Sequence, residues 1–249
     1  MNSFGRIFRL SIFGESHGRG TGIVIDGCPS GIPLTGRTLE KDLSRRKAGA
    51  RGTTPRTEPD TPRLVSGVFR GRTTGSPITI LFDNTNTRSR DYRFREVPRP
   101  GHADFTAMHK FGQANDFRGG GHFSGRITLG LVAAGAVVKK IIATMTVDPR
   151  LVEAGGSPDI DASVEKALEA EDSIGGLIDC VIEPVPIGLG EPFFDKVQAV
   201  LAHALFAIPA VKGLEFGSGF KVAGHRGSTN NDCFISPDGR TATNHAGGI

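Results

Sequence analysis

The chain has 249 residues (26.3 kDa), 37% hydrophobic and 22% charged, with a mean hydropathy of −0.15. That balance excludes a disordered chain and a coiled coil, no run approaches the ~20 apolar residues that cross a bilayer, and the length suffices for a sizeable core. The net charge of +4 hides an asymmetry: residues 37–99 hold 15 Lys and Arg against 7 Asp and Glu, and residues 148–199 hold 3 against 12.

In chain order, Arg6–Phe13 and Thr21–Asp26 read as strands joined by the turn Gly14-Glu-Ser-His17-Gly-Arg-Gly20. Thr38–Lys47 reads as a short helix carrying Arg45 and Arg46, and Ala48–Thr61 as a Gly-, Thr-, Pro- and Arg-rich loop. Arg63–Phe69 and Pro77–Phe82 read as strands, followed by the polar, Arg-rich segment Asn84–Pro100. Ser124–Met145 is apolar almost all round, so it predicts a helix lying in a core. Asp159–Asp172 and Pro192–Ile208 read as amphipathic helices, and Leu177–Glu183, Leu214–Ala223 and Asp232–Ile235 as strands. The irregular mixture predicts an α+β fold with antiparallel neighbours, in one domain over 1–249. Leu10–Gly14 and Leu214–Gly219 loosely echo each other as strands ending in glycine, a weak hint of duplication.

The basic stretch is built from Arg, 13 of its 15 cations, and Arg offers a planar fork of donors suited to phosphate and carboxylate oxygens. The front half therefore expects an anion, and the acidic stretch reads as a solvated helical face. Cys28, Cys180 and Cys233 are scattered without a C-x-x-C, which argues against zinc or a disulfide framework and reads as three small buried hydrophobes. With no Trp and one Tyr, stacking platforms for bases are poor, so a nucleic-acid partner is not expected. The N-terminus lacks the apolar core of a secretory signal, and a cytoplasmic location is the default.

Gly14-Glu-Ser-His-Gly18 matches the G-x-S-x-G nucleophile elbow, but an elbow leads from a strand into a helix, and here a β run follows. There is no Walker A, no G-x-G-x-x-G and no H-E-x-x-H. His102, in Arg99-Pro-Gly-His-Ala-Asp104, can exchange a proton near neutral pH, although a solvated loop carries such a His too. In Asp116-Phe-Arg-Gly-Gly-Gly121-His-Phe-Ser-Gly-Arg126, three glycines precede an expected helix start with Ser124 as N-cap. A helix N-terminus of that kind is competent to hold phosphate, and a flexible connection is the other reading.

Taken together, ordered blocks of this sequence resemble the chorismate synthase family. They are Phe13-Gly-Glu-Ser-His17-Gly, Ile25-Asp-Gly-Cys-Pro-Ser-Gly-Ile-Pro-Leu-Thr35, Glu58-Pro-Asp, Ser66-Gly-Val-Phe, Thr74-Gly-Ser-Pro-Ile and Arg99-Pro-Gly-His-Ala-Asp104. Further along come Gly121-x-x-Ser124-Gly-Arg126-x-Thr128, Val132-Ala-Ala-Gly-Ala, Gly188-Leu-Gly-Glu-Pro192, Pro209-Ala-Val-Lys-Gly213 and Asn244-His-Ala-Gly-Gly-Ile249. The resemblance implies a β-α-β sandwich, with helices enclosed between antiparallel-rich sheets, assembled as a homotetramer. It implies a carbon–oxygen lyase of aromatic amino acid biosynthesis (the shikimate pathway). That enzyme eliminates phosphate and a ring hydrogen from 5-enolpyruvylshikimate 3-phosphate, using reduced FMN without net redox change. NADPH is a flavin reductant in some members, which attaches NADP to the same positions.

By the same resemblance His17 protonates the departing phosphate and His102 the reduced flavin. Ser16, Arg46, Arg51, Arg99 and Arg126 fall at substrate positions, and Arg46, Arg51, His122, Phe123, Ser124, Pro209 and Ala210 at cofactor positions. Many members carry Arg-Ser-Ser-Ala-Arg where this chain has His122-Phe-Ser-Gly-Arg126, which leaves His122 to carry a contact usually made by Arg. The Arg45–Pro55 loop is one residue shorter than in some relatives. Family members also continue past Gly-Gly-Ile with a Lys-Pro-Thr stretch and an Arg-x-Asp motif. Their absence here raises the alternative of a catalytically impaired anion- or flavin-binding fragment of the same fold.

Overall fold

The computed structural model describes residues 2–49, 51–53, 58–87 and 97–248. Parts of the expected loops at 48–61 and 84–100, and Ile249 of the last block, lie outside the described residues. The chain divides into two compact units, Met1–Val185 and Pro186–Ile249.

The first unit is built on a five-stranded antiparallel sheet in the order β1-β2-β3-β7-β4: Ser3–Phe4, Arg9–Gly14, Gly20–Asp26, Ile78–Asp83 and Arg63–Ser66. β3 and β7 form its centre, with Thr21 opposite Phe82, Ile23 opposite Ile80 and Ile25 opposite Ile78. Alternation sends all six side chains to one face, where each is at most 1% exposed. Helices α1 (Gly36–Arg46) and α3 (Thr128–Ile141) cover that face. α1 contributes Leu39 and Leu43, one turn apart, and α3 contributes Leu129, Ala133, Ala134, Ala136 and Val137. α3 lies close enough to β3 that a Cβ on Gly130 would meet Ile23 Cβ at 3.1 Å and Gly22 O at 3.2 Å. An ion pair between Lys139 and Asp42 ties the outer edges of the two helices.

The start of α1 follows from its sequence. Thr35 Oγ1 accepts from Thr38 N (3.3 Å) while Thr38 Oγ1 accepts from Thr35 N (3.0 Å), a reciprocal cap. Arg45 and Arg46 sit in the last turn, where the helix dipole favours cations. The expected strand Arg63–Phe69 is two strands, because Gly67 adopts φ +77° and separates β4 from β5 (Val68–Phe69). β5 pairs with β6 (Arg72–Thr73) in a two-stranded ribbon. The core helix is shorter than Ser124–Met145. Ser124 caps a 3₁₀ turn over Gly125–Ile127, and α3 begins only at Thr128 with no side-chain cap. The glycines at 119–121 therefore do not lead directly into an α-helix N-terminus, which corrects the expected phosphate site there.

Helix α2 (Asp104–Phe111) falls where the His102–His109 stretch reads as a possible helix, with His102 just outside it, and strand β8 (Thr146–Ala154) was not expected from the sequence. Pro149 inside β8 reads as a strand breaker, but among the described residues β8 pairs as a strand only with β9 (Gly176–Glu183), so the outer edge of β8 carries no further strand there. α4 (Ile160–Glu169) connects them, starts at the Asp159 cap and buries no residue. The acidic stretch is thus partly a solvated helix, as read, and partly an exposed ribbon.

The second unit contains α5 (Val197–Leu205), the short α6 (Gly227–Asn230) and several 3₁₀ turns. The expected strands Leu214–Ala223 and Asp232–Ile235 do not form. Gly217 (φ +56°) and Gly219 (φ +54°) break the first, a 3₁₀ turn covers Gly219–Gly224, and Phe234 makes a single bridge to Thr241. The hint of an internal duplication falls with them. Of the three cysteines only Cys28 is buried; Cys180 and Cys233 are exposed. No helix among the described residues is long and apolar enough to cross a membrane.

Ile80→Ala removes a wholly buried side chain from the centre of the sheet. It is expected to cost about 2–5 kcal/mol in urea unfolding, against less than about 0.5 kcal/mol for Ile7→Ala at an exposed position. Equal effects of the two would contradict the placement of the core.

Candidate active site

The turn between β2 and β3 carries Ser16 and His17, which are 1% and 6% exposed. The turn is a hairpin connection, so the elbow geometry of a serine hydrolase is absent here. An arch formed by Gly119, Gly120 and Gly121 lies against it, with φ of +58°, +80° and +53°. Any side chain would spoil this arch: a Cβ on Gly119 would sit 2.4 Å from His17 Cδ2, and one on Gly121 would sit 1.8 Å from Asp116 O. Backbone and ring contacts lock arch to turn. Ser16 N donates to Gly121 O (3.0 Å), and His122 Nδ1 donates to Gly14 O (2.8 Å). His122 Nε2 faces the Asn2 side chain at 3.0 Å, so both ring nitrogens of His122 are engaged.

On the other side of the arch is Arg99, whose Nη2 would lie 3.1 Å from a Cβ on Gly120. Its guanidinium forks onto Asp104 at 2.8 and 3.0 Å, and its backbone N–H donates to the same carboxylate at 3.1 Å. Arg99 thereby holds the Asp104 carboxyl below the usual carboxylate range. The same fork positions the Arg99–Asp104 loop that presents His102. His102 is exposed, and its Nδ1 is 3.0 Å from Pro100 O, which makes Nδ1 the donor and turns Nε2 outward from that bond. Arg118 forks onto Asp116 at 2.8 and 2.7 Å and keeps that carboxyl ionised as well, with a lesser contribution from His17.

Beneath the arch lies a buried charge cluster. Arg126, with a side chain 7% exposed, donates through Nη1 to Asp60 Oδ1 at 2.8 Å and through Nε to Asn84 Oδ1. Asp60 is also buried, holds φ +49°, and lies 3.7 Å from Arg46 Nη1. Arg46 in turn donates to Gly125 O at 3.0 Å. Arg126 Nη2 is buried and has no hydrogen-bond partner among the described residues. A buried guanidinium nitrogen without an acceptor is costly, so it marks where an anionic oxygen would be welcome.

The structure thus gathers Ser16, His17, Arg46, Arg99, Ser124 and Arg126 around the arch. It does not gather Arg51, which ion-pairs with Glu165 on α4. Pro209 and Ala210 belong to the second unit, where Ala210 adopts φ +70°. For a flavin, the first unit offers a side-chain-free arch and the exposed Phe123 ring, 6.0 Å from the Phe111 ring. An exposed aromatic ring beside main-chain polar groups suits a flat, polar-edged cofactor. Among the described residues no group of three His, Cys, Asp or Glu is placed to hold a metal ion.

Sequence reasoning gave no role to Asp60, Glu58 or Asn84. Buried carboxylates inside an Arg-rich stretch were the available signal for the first two, since such a carboxylate must pair. Asn84, directly after a β run, looked like an ordinary turn residue.

The comparisons with known proteins give the family. The family model for chorismate synthase matches residues 8–153 and 148–249. The chorismate synthase of Chitinophaga pinensis is 59% identical over 251 residues, covering 100% of this chain and 76% of that protein. The chorismate synthase of Pyrococcus abyssi is 44% identical over 274 residues, covering 98% of this chain and 77% of that protein. A crystal structure of chorismate synthase superposes with a TM-score of 0.79 at 26% identity, over 98% of this chain and 79% of that one. The reading as an impaired binding fragment is not favoured by these matches, and the α+β fold is the one that the solved enzyme has. With its fold matched by a solved relative and nearly its whole length matched by the family model and by these relatives, the chain belongs to the chorismate synthase family.

Proposed function

We propose that the chain forms chorismate from 5-enolpyruvylshikimate 3-phosphate with His17 and His102 as its proton-handling groups and Ser16, Arg46, Arg99 and Arg126 as its substrate contacts; Arg51, expected in that set, is paired with Glu165 and is left out of it. The match of the whole chain to a curated relative at 59% identity carries this reading. The substrate bears one phosphate and two carboxylates, and the first unit's arginines supply the matching charge. In the reaction a ring C–O bond to phosphate and a ring C–H bond break, a new C=C bond forms, and no net oxidation results. Reduced FMN, held by the residues named below, would supply transient electron density to the reaction without net redox change.

The chain's own residues do the rest by position and charge. His17 is walled in by Ser16 and Gly119, so a protonated imidazole there meets little competing water. It gives its proton to the phosphate oxygen as the C–O bond breaks. Arg126 Nη2 donates to an anionic oxygen of the substrate, which resolves its missing partner. Asp60 keeps the Arg126 and Arg46 guanidiniums oriented while offsetting their mutual repulsion. His102, with Nδ1 committed to Pro100 O, exchanges a proton with the cofactor through Nε2. In this reading the first unit's FMN contacts are His122, Phe123, Ser124 and Arg46, while Pro209 and Ala210, in the second unit, are proposed separately as cofactor contacts. A single domain spanning both units, a homotetramer in the cytoplasm, classification as a carbon–oxygen lyase and NADPH as flavin reductant belong to the same proposal.

His17→Ala is expected to lower phosphate release by about 10²–10⁴-fold, the usual loss for a general acid. The measurement is anaerobic, with FMN, dithionite and the enolpyruvyl substrate. A His17→Ala protein that turns over at the parent rate would overturn the assignment.

A further inference from the structure

One side chain joins the His17 turn to the buried Arg126 cluster. Asn84 follows β7 directly, and its backbone N donates to Arg19 O at 3.1 Å. Its Nδ2 donates to Glu15 O at 2.9 Å and to Gly18 O at 3.0 Å, the carbonyls on either side of Ser16 and His17. Its Oδ1 accepts from Arg126 Nε. The orientation of the amide is forced, because the carbonyls can only accept and the guanidinium can only donate. The chain just beyond Asn84 is clamped as well. The buried Glu58 carboxylate accepts from Thr85 N (3.0 Å), Thr85 Oγ1 (2.7 Å) and Asn86 N (3.1 Å).

We propose that Asn84 is a positioning residue that holds the His17 turn at a fixed spacing from the Arg126 guanidinium, so that the proton donor and the anion donor address one phosphate-bearing substrate together. This rests on the roles given above to His17 and Arg126. No other side chain that we describe can do the same work. A carboxylate at 84 accepts from Arg126 but opposes two carbonyl oxygens, and a hydrophobic residue loses both partners. Asp60 and Arg46 then continue the same line of contacts outward to Gly125 O.

The test compares Asn84→Asp and Asn84→Ala with the parent chain, reading phosphate release, circular dichroism melting and the His17 imidazole proton resonances. Asn84→Asp keeps an acceptor for Arg126 and displaces only the turn. It is expected to lower kcat about 100-fold, the cost of roughly 1 Å of misplacement, with KM held within about threefold because substrate binding is spared. Asn84→Ala is expected to lower kcat and raise KM together. Both variants shift the His17 resonances and keep the parent's folded spectrum. Unchanged kcat and unchanged His17 resonances in both variants overturn the proposal. So does a loss of activity that tracks the loss of folded protein while the remaining folded fraction keeps the parent's resonances. The underlying catalytic reading fails separately: a fully active His17→Ala protein removes the acid role and with it the catalytic purpose of the positioning, while shifted His17 resonances in the Asn84 variants would still show that Asn84 holds the turn.

Discussion

Burying a guanidinium is the constraint around which this site is organised. Arg126 has lost nearly all its contact with water, and a charge so placed requires a full set of acceptors. Asp60 and Asn84 meet two of its donor positions, and Nη2 has no acceptor among the described residues. The same three residues fix the surroundings. Asp60 sits in the left-handed region of backbone space to reach Arg126, and Asn84 reaches back to the His17 turn. Remove the charge and neither contact has a reason to persist.

The sheet makes such a cluster possible by holding its contributors still. β2, β3 and β7 end at the same edge, where the His17 turn and Asn84 emerge side by side. The face packed by Ile23, Ile25, Ile80 and Phe82 against α1 and α3 keeps those strand ends from shifting. Gly130 allows α3 to approach closely, and Arg126 lies just before that helix begins. The arginine is therefore held next to a helix packed on the core, and the glycine arch brings His17, Asp116 and Arg99 into close contact around it.

Periodicity made the central strands readable, because Ile23, Ile25, Ile78 and Ile80 alternate, and α1 was legible except for its first turn, where the reciprocal Thr35–Thr38 cap starts the helix two residues before the expected Thr38. The same rules missed β8, where Pro149 masks a two-stranded ribbon, and invented strands at 214–223, where Gly217 and Gly219 turn the chain. They also extended the core helix back to Ser124, because a 3₁₀ cap and an α-helix cap look alike in sequence. At the site, His17, His102, Arg99 and Arg126 stood out through motif and charge. Asp60 and Asn84 did not, since their roles come from contacts between residues 42 to 69 positions apart that no local pattern encodes. His122 shows the converse. A substitution at a usually basic position suggested a replacement contact, and the structure turns both of its nitrogens toward Gly14 and Asn2.

The claim that an incompletely paired, buried guanidinium selects the anionic substrate is tested most directly by calorimetric binding of 5-enolpyruvylshikimate 3-phosphate to the parent and to Arg126→Lys. Lysine keeps the charge but cannot bond Asp60, Asn84 and a ligand oxygen from one rigid plane. The account predicts binding weakened by about 10–100-fold with the fold intact, the loss of one charge-assisted hydrogen bond. Equal affinity in the two proteins would contradict it.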